Sequence, residues 1–325
     1  MNYTIFGESH GSAIGVTVTG VPAGLALDWD LIAAEMARRA PGKSDLSTAR
    51  KEADQPEILS GVFEGKTTGA PLCAVIRNGD VRSAEYETMA FCPRPGHGDY
   101  AAFVAGGGCN DYRGGGHCSG RLTAPLVFVG AVAKQILREK GVDIAARISV
   151  VGGVADPTAE QLEQVILAAK NEGDSVGGTI ACAVTGLPAG FGAPDIDCNV
   201  EGIFARHLFA VPAVKGIAFG AGFGFASMRG SEANDPFVMD GDAVRTLTNH
   251  AGGINGGITN GMPLVFRVAM RPTPSIGKPQ QTVSLSGKTN ETLTIEGRHD
   301  PCIVKRALPV IEAAAALAVC ELMKI

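Results

Sequence analysis

The 325-residue sequence predicts an α+β fold: two related halves of mixed strands and helices packed into one body, with sheets sandwiching helices. Three observations predict it. Apolar patterning gives both strands and long helices, but they do not alternate strictly, which argues against a doubly wound parallel sheet. Three segments of the first half recur in the same order in the second. Glycine fills 44 of the 325 positions without a collagen-like period, so tight turns and close backbone approaches are frequent.

The elements follow from periodicity. Residues 13–18 and 181–184 alternate or run apolar like strands, and hairpin-like strands are expected at 61–77, 264–270 and 282–295. Residues 30–39, 126–140, 159–172 and 304–323 read as helices. Gly141 stands where a C-terminal glycine cap belongs. Pro125 lacks an N–H, so its helix is expected to begin near Thr123. The repeat pairs Val18-Thr-Gly-Val-Pro-Ala-Gly24 with Val184-Thr-Gly-Leu-Pro-Ala-Gly190. It pairs Thr67-Thr-Gly-Ala-Pro-Leu72 with Thr259-Asn-Gly-Met-Pro-Leu264, and Pro125-Leu-Val-Phe128 with Pro309-Val-Ile-Glu312. Shared order weighs more than any one match; the competing reading is chance similarity among glycine- and proline-rich turns. Residues 1–325 are read as a single domain with halves 1–148 and 149–325. Halves packed face to face would bring distant loops to one cleft.

Composition excludes several classes. A net charge of −5 opposes nucleic acid or an anionic membrane as partner. The first ten residues do not resemble a signal peptide, and no run approaches the ~18 apolar residues of a membrane span. The eight cysteines are scattered with no C-x-x-C pair, which reads as free thiols in a reducing cytoplasm. No histidine or cysteine spacing suggests a metal.

Chemistry-bearing residues concentrate in glycine-rich loops. Phe6-Gly-Glu-Ser-His-Gly11 sets Ser9 and His10 among groups that exchange protons. Arg94-Pro-Gly-His-Gly-Asp99 turns at Pro95-Gly96 and presents His97 beside a carboxylate able to orient it; the plainer reading is a surface Arg94–Asp99 pair. Asp111-Tyr-Arg-Gly-Gly-Gly-His-Cys-Ser-Gly-Arg121 precedes a long helix, where backbone N–H groups and the helix dipole attract an anion. It is neither a Walker A loop nor a dinucleotide fingerprint. Gly297-Arg-His-Asp-Pro301 reads as an N-cap at Asp300, which is compatible with chemistry because a cap carboxylate is fixed. Arg38 and Arg39 end a helix; they either complement its dipole or bind an acidic ligand. Of six histidines only His207 lies outside these loops and the glycine-rich stretch Asn249-His-Ala-Gly-Gly-Ile-Asn-Gly-Gly257, and core histidines would not cluster so.

Taken in order, Gly7-Glu-Ser-His-Gly11, Arg38-Arg39 with Pro41-Gly42, Arg94-Pro-Gly-His97, Gly114-Gly-Gly116 with Ser119 and Arg121, Asn249-His-Ala-Gly-Gly253, Gly297-Arg-His-Asp-Pro-Cys302 and Arg306-Ala-Leu-Pro309 resemble the motifs of the chorismate synthase family. The resemblance runs from residue 3 to the C-terminus. It implies a lyase that converts 5-enolpyruvylshikimate 3-phosphate to chorismate and phosphate in the shikimate pathway, with reduced FMN. It implies His10 as the acid for the leaving phosphate, His97 beside the reduced flavin, and Asp300 as the carboxylate that helps the flavin take the carbon-6 proton. Ser9, Arg39, Arg94 and Arg121 match substrate-binding positions. His117, Cys118, Ser119, Gly256, Arg271, Pro272, Thr273, Pro274, Ser275 and Arg298 match flavin-contacting positions. The family further implies a homotetramer in the cytoplasm, with NADPH a candidate source of reducing equivalents.

The chain departs from the family pattern in places. His117-Cys-Ser-Gly-Arg-Leu-Thr123 replaces the family's Arg-Ser-Ser-Ala-Arg-Glu-Thr, and Asp45 falls where many members have arginine, with Lys43 a substitute. Residues 145–180 form a shorter segment than in many members. Two other functions compete: a flavin-independent phosphohydrolase of a small acidic metabolite, and a flavin or phosphometabolite binding module without catalysis.

Overall fold

The computed structural model describes residues 1–42, 52, 54–79, 83–295 and 300–325. The first half contains β1 (Asn2–Gly7), β2 (Ala13–Thr19), α1 (Trp29–Arg39), β3 (Glu57–Ser60), β4 (Val62–Phe63), β5 (Lys66–Thr67), β6 (Leu72–Arg77), α2 (Asp99–Ala105) and α3 (Thr123–Glu139). The second contains β7 (Asp143–Val151), β8 (Val154–Ala155), α4 (Ala159–Asn171), β9 (Gly178–Thr185), α5 (Val200–Phe209), β10 (Val214–Phe219) and the single turn α6 (Gly230–Ala233). There follow β11 (Phe237–Asp240), β12 (Ala243–Thr246), β13 (Ile254–Asn255), β14 (Ile258–Thr259), β15 (Leu264–Met270), β16 (Gln280–Ser284), β17 (Thr289–Leu293) and α7 (Val304–Leu322).

The large strands form two antiparallel sheets, β1-β2-β6-β3 and β10-β15-β9-β7-β8. Alternation fits this: β2 and β6 bury Ile14, Val16, Val18, Leu72, Ala74 and Ile76 on the helix side. Helix α3 packs on β2 and β6, α7 packs on β7 and β9, and α3 and α7 pack against each other. The sheets therefore enclose the helices, as the α+β reading expects. The two central helices are apolar because both neighbours of each are protein. Helix α3 is long and apolar enough to cross a membrane, but most of it is buried in this core. Close approach requires small residues. A Cβ added at Gly130 would lie 2.2 Å from the Ala313 Cβ, well inside contact distance. Ala313 carries the α7 side of this contact, and it and the next three alanines, 314 to 316, are all enclosed in the core.

The sheet orders correspond strand for strand: β1-β2-β6-β3 matches β7-β9-β15-β10. The matched prolyl turns also share hydrogen bonds. Thr67 Oγ1 accepts from the Leu25 N–H and donates to Pro22 O; Thr259 Oγ1 accepts from the Phe191 N–H and donates to Pro188 O. Gly20 and Gly186, each just past its strand, have φ of 85° and 79°. The boundary expected between 148 and 149 falls inside β7, so a unit that begins with this strand begins at Asp143.

Helix ends follow local chemistry with one correction. Thr158 and Gln161 form a capping box on α4, and Gly141, with φ 76°, follows α3 as expected. Asp300, however, is not the N-cap of α7. The helix starts at Val304 with Ile303 as cap residue and no side-chain cap bond. Asp300 instead accepts from Arg306 Nη1 at 2.5 Å. Arg38 also departs from the acidic-ligand reading. It pairs with Glu35 and with Glu312 of α7, while the buried Lys134 of α3 bonds the same two carboxylates. This neutral four-residue network ties α1, α3 and α7 together, and the Ala146 N–H of β7 donates to Glu312 as well.

Candidate active site

One end of the α3–α7 pair opens into a cleft of about 550 Å³, within the range of small-ligand sites. The first turns of both helices line it, at Thr123 and at Arg306 and Ala307. Two helix N-termini thus face the same space, which favours bound anions. The side chains add to this field: Arg39, Arg94, Arg121, Lys215, Arg271 and Arg306 line the cleft.

Each arginine is held. Arg39, 2 % exposed, donates from Nε to Thr123 Oγ1, from Nη1 to Asp54 Oδ2 at 2.6 Å, and from Nη2 to Gly120 O. Burial pushes its pKa down to about 10 against the pull of Asp54, so it stays cationic at neutral pH. Arg121 donates to the other oxygen of Asp54 and, through Nε, to Asn78 Oδ1 at 3.0 Å. Asn78 Nδ2 in turn donates to Glu8 O and Gly11 O, which ties Arg121 to the loop carrying His10. Burial would raise the Asp54 pKa, but the two guanidiniums hold it below the usual carboxylate range.

The second loop makes a buried Arg–Asp–His group rather than a surface pair. Arg94 binds Asp99 bidentately, Nε to Oδ2 at 2.7 Å and Nη2 to Oδ1 at 2.8 Å. His97 Nδ1 lies 2.6 Å from Asp99 Oδ1. An Asp99-bound Nδ1–H leaves Nε2 as the ring's basic nitrogen. Burial works to raise Asp99, but the bonds from Arg94 and His97 outweigh it and hold the carboxyl far below its usual range.

The glycine run explains itself at this point. A Cβ on Gly114 would lie 2.5 Å from His10 Cδ2, and one on Gly115 would lie 2.7 Å from His97 Cε1. Both histidines therefore press on backbone that only glycine allows, and both residues have positive φ. His10 is buried behind Gly114, its ring edge-on to Tyr86 at 5.0 Å, while Ser9 beside it lines the cleft. Tyr86 also lies under the Arg94 guanidinium at 5.7 Å.

The structure brings His97, Asp300, Ser9, Arg39, Arg94 and Arg121 to one cleft, with Cys118, Ser119, Arg271, Thr273, Pro274 and Ser275 on its walls. Pro272 is exposed between lining neighbours. His117 is exposed, its Nδ1 2.9 Å from Gly7 O, and does not line the cleft. Gly256 sits at the β13–β14 turn and does not line it either. Arg298, Lys43 and Asp45 lie outside the described residues. Sequence reasoning missed Asp54, Asn78, Tyr86 and Lys215 as parts of the site; Arg306 was noticed only as part of a motif.

Comparison with known proteins gives the family. The family model described as chorismate synthase matches residues 1–323. A chorismate synthase of Chitinophaga pinensis is 48 % identical over 319 residues, covering 98 % of this chain and 93 % of its own. One from Thermococcus gammatolerans is 46 % identical over 340 residues, covering 99 % and 95 %. The chain belongs to the chorismate synthase family. A solved structure titled "Crystal Structure of Chorismate Synthase" matches with a TM-score of 0.75 at 27 % identity, over 98 % of this chain and 90 % of that one. As a member of the chorismate synthase family the chain is a carbon–oxygen lyase of the shikimate pathway, converting 5-enolpyruvylshikimate 3-phosphate to chorismate.

Proposed function

We propose that the arginine-lined cleft is where this elimination takes place, with reduced FMN bound in the same space. The observation that carries the reading is the convergence of Arg39, Arg94, Arg121 and Arg306 with His97 and Asp300 at the first turns of α3 and α7. The substrate bears two carboxylates and a phosphate. Arginine forks bind such groups bidentately. Arg39 and Arg121 hold one anionic end and Arg94 steadies another. His10, behind Gly114 and next to the cleft-lining Ser9, is the acid that the family resemblance assigns to the phosphate oxygen as the bond to carbon 3 breaks; a proton or hydrogen bond there eases its departure. Asp300 helps take up the proton that leaves carbon 6, and Arg306, bonded to it, orients its carboxylate. His97, fixed through Nδ1 by Asp99, holds a proton at a defined ring nitrogen beside the cofactor.

The residues present fit the flavin. Thr273 Oγ1 is a buried hydroxyl without a hydrogen-bond partner among the described residues, in the wall formed by 271–275. A bound polar group would satisfy it. Arg271 and Arg94 flank that wall and suit a phosphate. Reduced FMN supplies electron density that helps the carbon–oxygen bond break, with no net oxidation. NADPH as the source of reducing equivalents, a homotetramer and a cytoplasmic location belong to the same reading. So does descent of the two halves from one repeated unit, supported by the matched strand orders when the division between them is set at the start of β7, Asp143, and not at 148/149.

The test is an anaerobic assay for chorismate and phosphate, with FMN reduced, oxidised or omitted. Chorismate forms only with reduced FMN. Phosphate release at equal rate without flavin would instead establish the phosphohydrolase.

A further inference from the structure

We infer that Asp54 is a positioning residue for substrate binding, clamping Arg39 and Arg121 so that their remaining N–H groups face the cleft as one paired anion receptor. The inference rests on the reading of the cleft as the substrate site and names the residue that sets its geometry.

Asp54 does not line the cleft. Its side chain is fully enclosed, yet each carboxylate oxygen takes a different arginine: Oδ2 from Arg39 Nη1 at 2.6 Å, Oδ1 from Arg121 Nη1. Two guanidiniums at opposite ends of one carboxylate would otherwise repel each other. A guanidinium carries five N–H donors. On Arg39, Thr123, Asp54 and Gly120 O take three; on Arg121, Asn78, Asp54 and Arg77 O take three. Arg39 keeps two donors without a hydrogen-bond partner among the described residues; Arg121 keeps one more on Nη1, while its Nη2 also lies 3.7 Å from the enclosed Glu52 Oε2. Both arginines line the cleft.

Backbone geometry argues the same way. Asp54 has a φ of 50°, a left-handed conformation that aspartate and asparagine tolerate far better than most residues. Its position, three residues before β3, puts the carboxylate between the end of α1 and the start of α3, where the two arginines arrive from different elements. A carboxylate serving stability alone needs one such partner. One that joins two cleft-lining arginines of different elements also fixes their separation, and that separation decides whether one anion can engage both. Asp54 offsets one of the two arginine charges and Glu52, 3.7 Å from Arg121 Nη2, offsets part of the other, so the pair stays in register while Arg94, Arg271 and Arg306 keep the cleft cationic.

The experiment measures KM for 5-enolpyruvylshikimate 3-phosphate, kcat, and the FMN dissociation constant for wild type, Asp54→Asn and Asp54→Glu, with active sites counted by FMN titration. Asparagine keeps the backbone conformation and size but turns an amide N–H₂ toward one arginine. Glutamate keeps the charge but moves it one methylene into a filled space. A weakened charged hydrogen bond in the receptor raises KM by about tenfold to a hundredfold in Asp54→Asn. Asp54→Glu raises KM less, and FMN affinity stays within twofold in both. A merely structural role would lower the count of active sites and leave KM of the remainder unchanged. A KM within twofold of wild type in either variant overturns the inference, and Asp54→Glu decides alone if Asp54→Asn does not fold. A wild-type enzyme that makes no chorismate with reduced FMN would overturn the underlying reading instead.

Discussion

Replacing Asp99 by asparagine should separate the two roles of the buried Arg94–Asp99–His97 group. In the wild type the carboxylate accepts from Arg94 Nε, Arg94 Nη2, the Arg94 backbone N–H and His97 Nδ1. Arg94 is 6 % exposed, so water cannot replace the lost charge. Asparagine keeps one acceptor and aims an N–H₂ at donors. Leaving a buried charge without its partner costs about 3–5 kcal/mol. For a chain of this size that lowers Tm by on the order of 10 °C. The pH dependence has a definite sign. The folded-state pKa of Asp99 lies below its unfolded value, so its stabilisation is complete above the unfolded pKa, about 3.9, and is lost as pH falls through the folded one. The stability gap between wild type and Asp99→Asn should be the same at pH 7 and pH 5 and narrower at pH 3. Urea unfolding at the three pH values measures it. His97 also loses the acceptor that fixes its tautomer, so kcat should fall about a hundredfold in the folded fraction. A gap under about 1 kcal/mol at pH 7, or one that widens on acidification, would refute the argument.

Other expectations follow from the same contacts. Asp300→Asn should cut kcat by about a hundredfold to ten-thousandfold with KM and FMN affinity retained; since Asp300 does not cap α7, a helix-cap loss cannot explain the change, and near-normal turnover would give Asp300 a structural role, as in its bond to Arg306, and none in the chemistry. Gly114→Ala should displace His10 and Ser9, since the added methyl meets both at under 3 Å, and lower kcat by about a hundredfold with little change in Tm beyond the ~1–2 kcal/mol of a left-handed alanine. Glu312→Gln should cost about 3–5 kcal/mol by urea unfolding, because Arg38 and Lys134 lose a buried partner, while kcat and KM per active site stay at wild-type values.

Much of the fold was legible because periodicity reports burial on one face. Residues 13–18 and 264–270 alternate because one face of each sheet meets helices, and they form β2 and β15 nearly as bounded. The start of α3 at Thr123 followed from Pro125, whose missing N–H is harmless only in a first turn. The start of α7 was misjudged for the converse reason. Asp300-Pro301 has the chemistry of a cap, but the local pattern cannot report that Arg306, on the first turn of α7, takes the carboxylate. The same limit applies to Arg38, whose partner Glu312 is 274 positions away.

The site divides along the same line. Residues that touch ligands lie in loops with odd composition, and odd composition can be read: the glycine run at 114–116 marks backbone that must yield, and the structure supplies the rings it yields to, His10 at Gly114 and His97 at Gly115. Residues that orient those side chains carry no such mark. Asp54 lies in a run of ordinary polar residues, Asn78 ends a strand, and Tyr86 lies in a 3₁₀ segment, Ser83–Ala90, whose sequence is unremarked. Each acquires its role only when three elements meet: Asp54 through α1 and the turn before α3, Asn78 through the β1–β2 loop and Arg121, Tyr86 through His10 and Arg94. A guanidinium has five donors and no preferred direction until its neighbours occupy some of them. The arginines thus give the cleft its charge, and these three residues give that charge its direction.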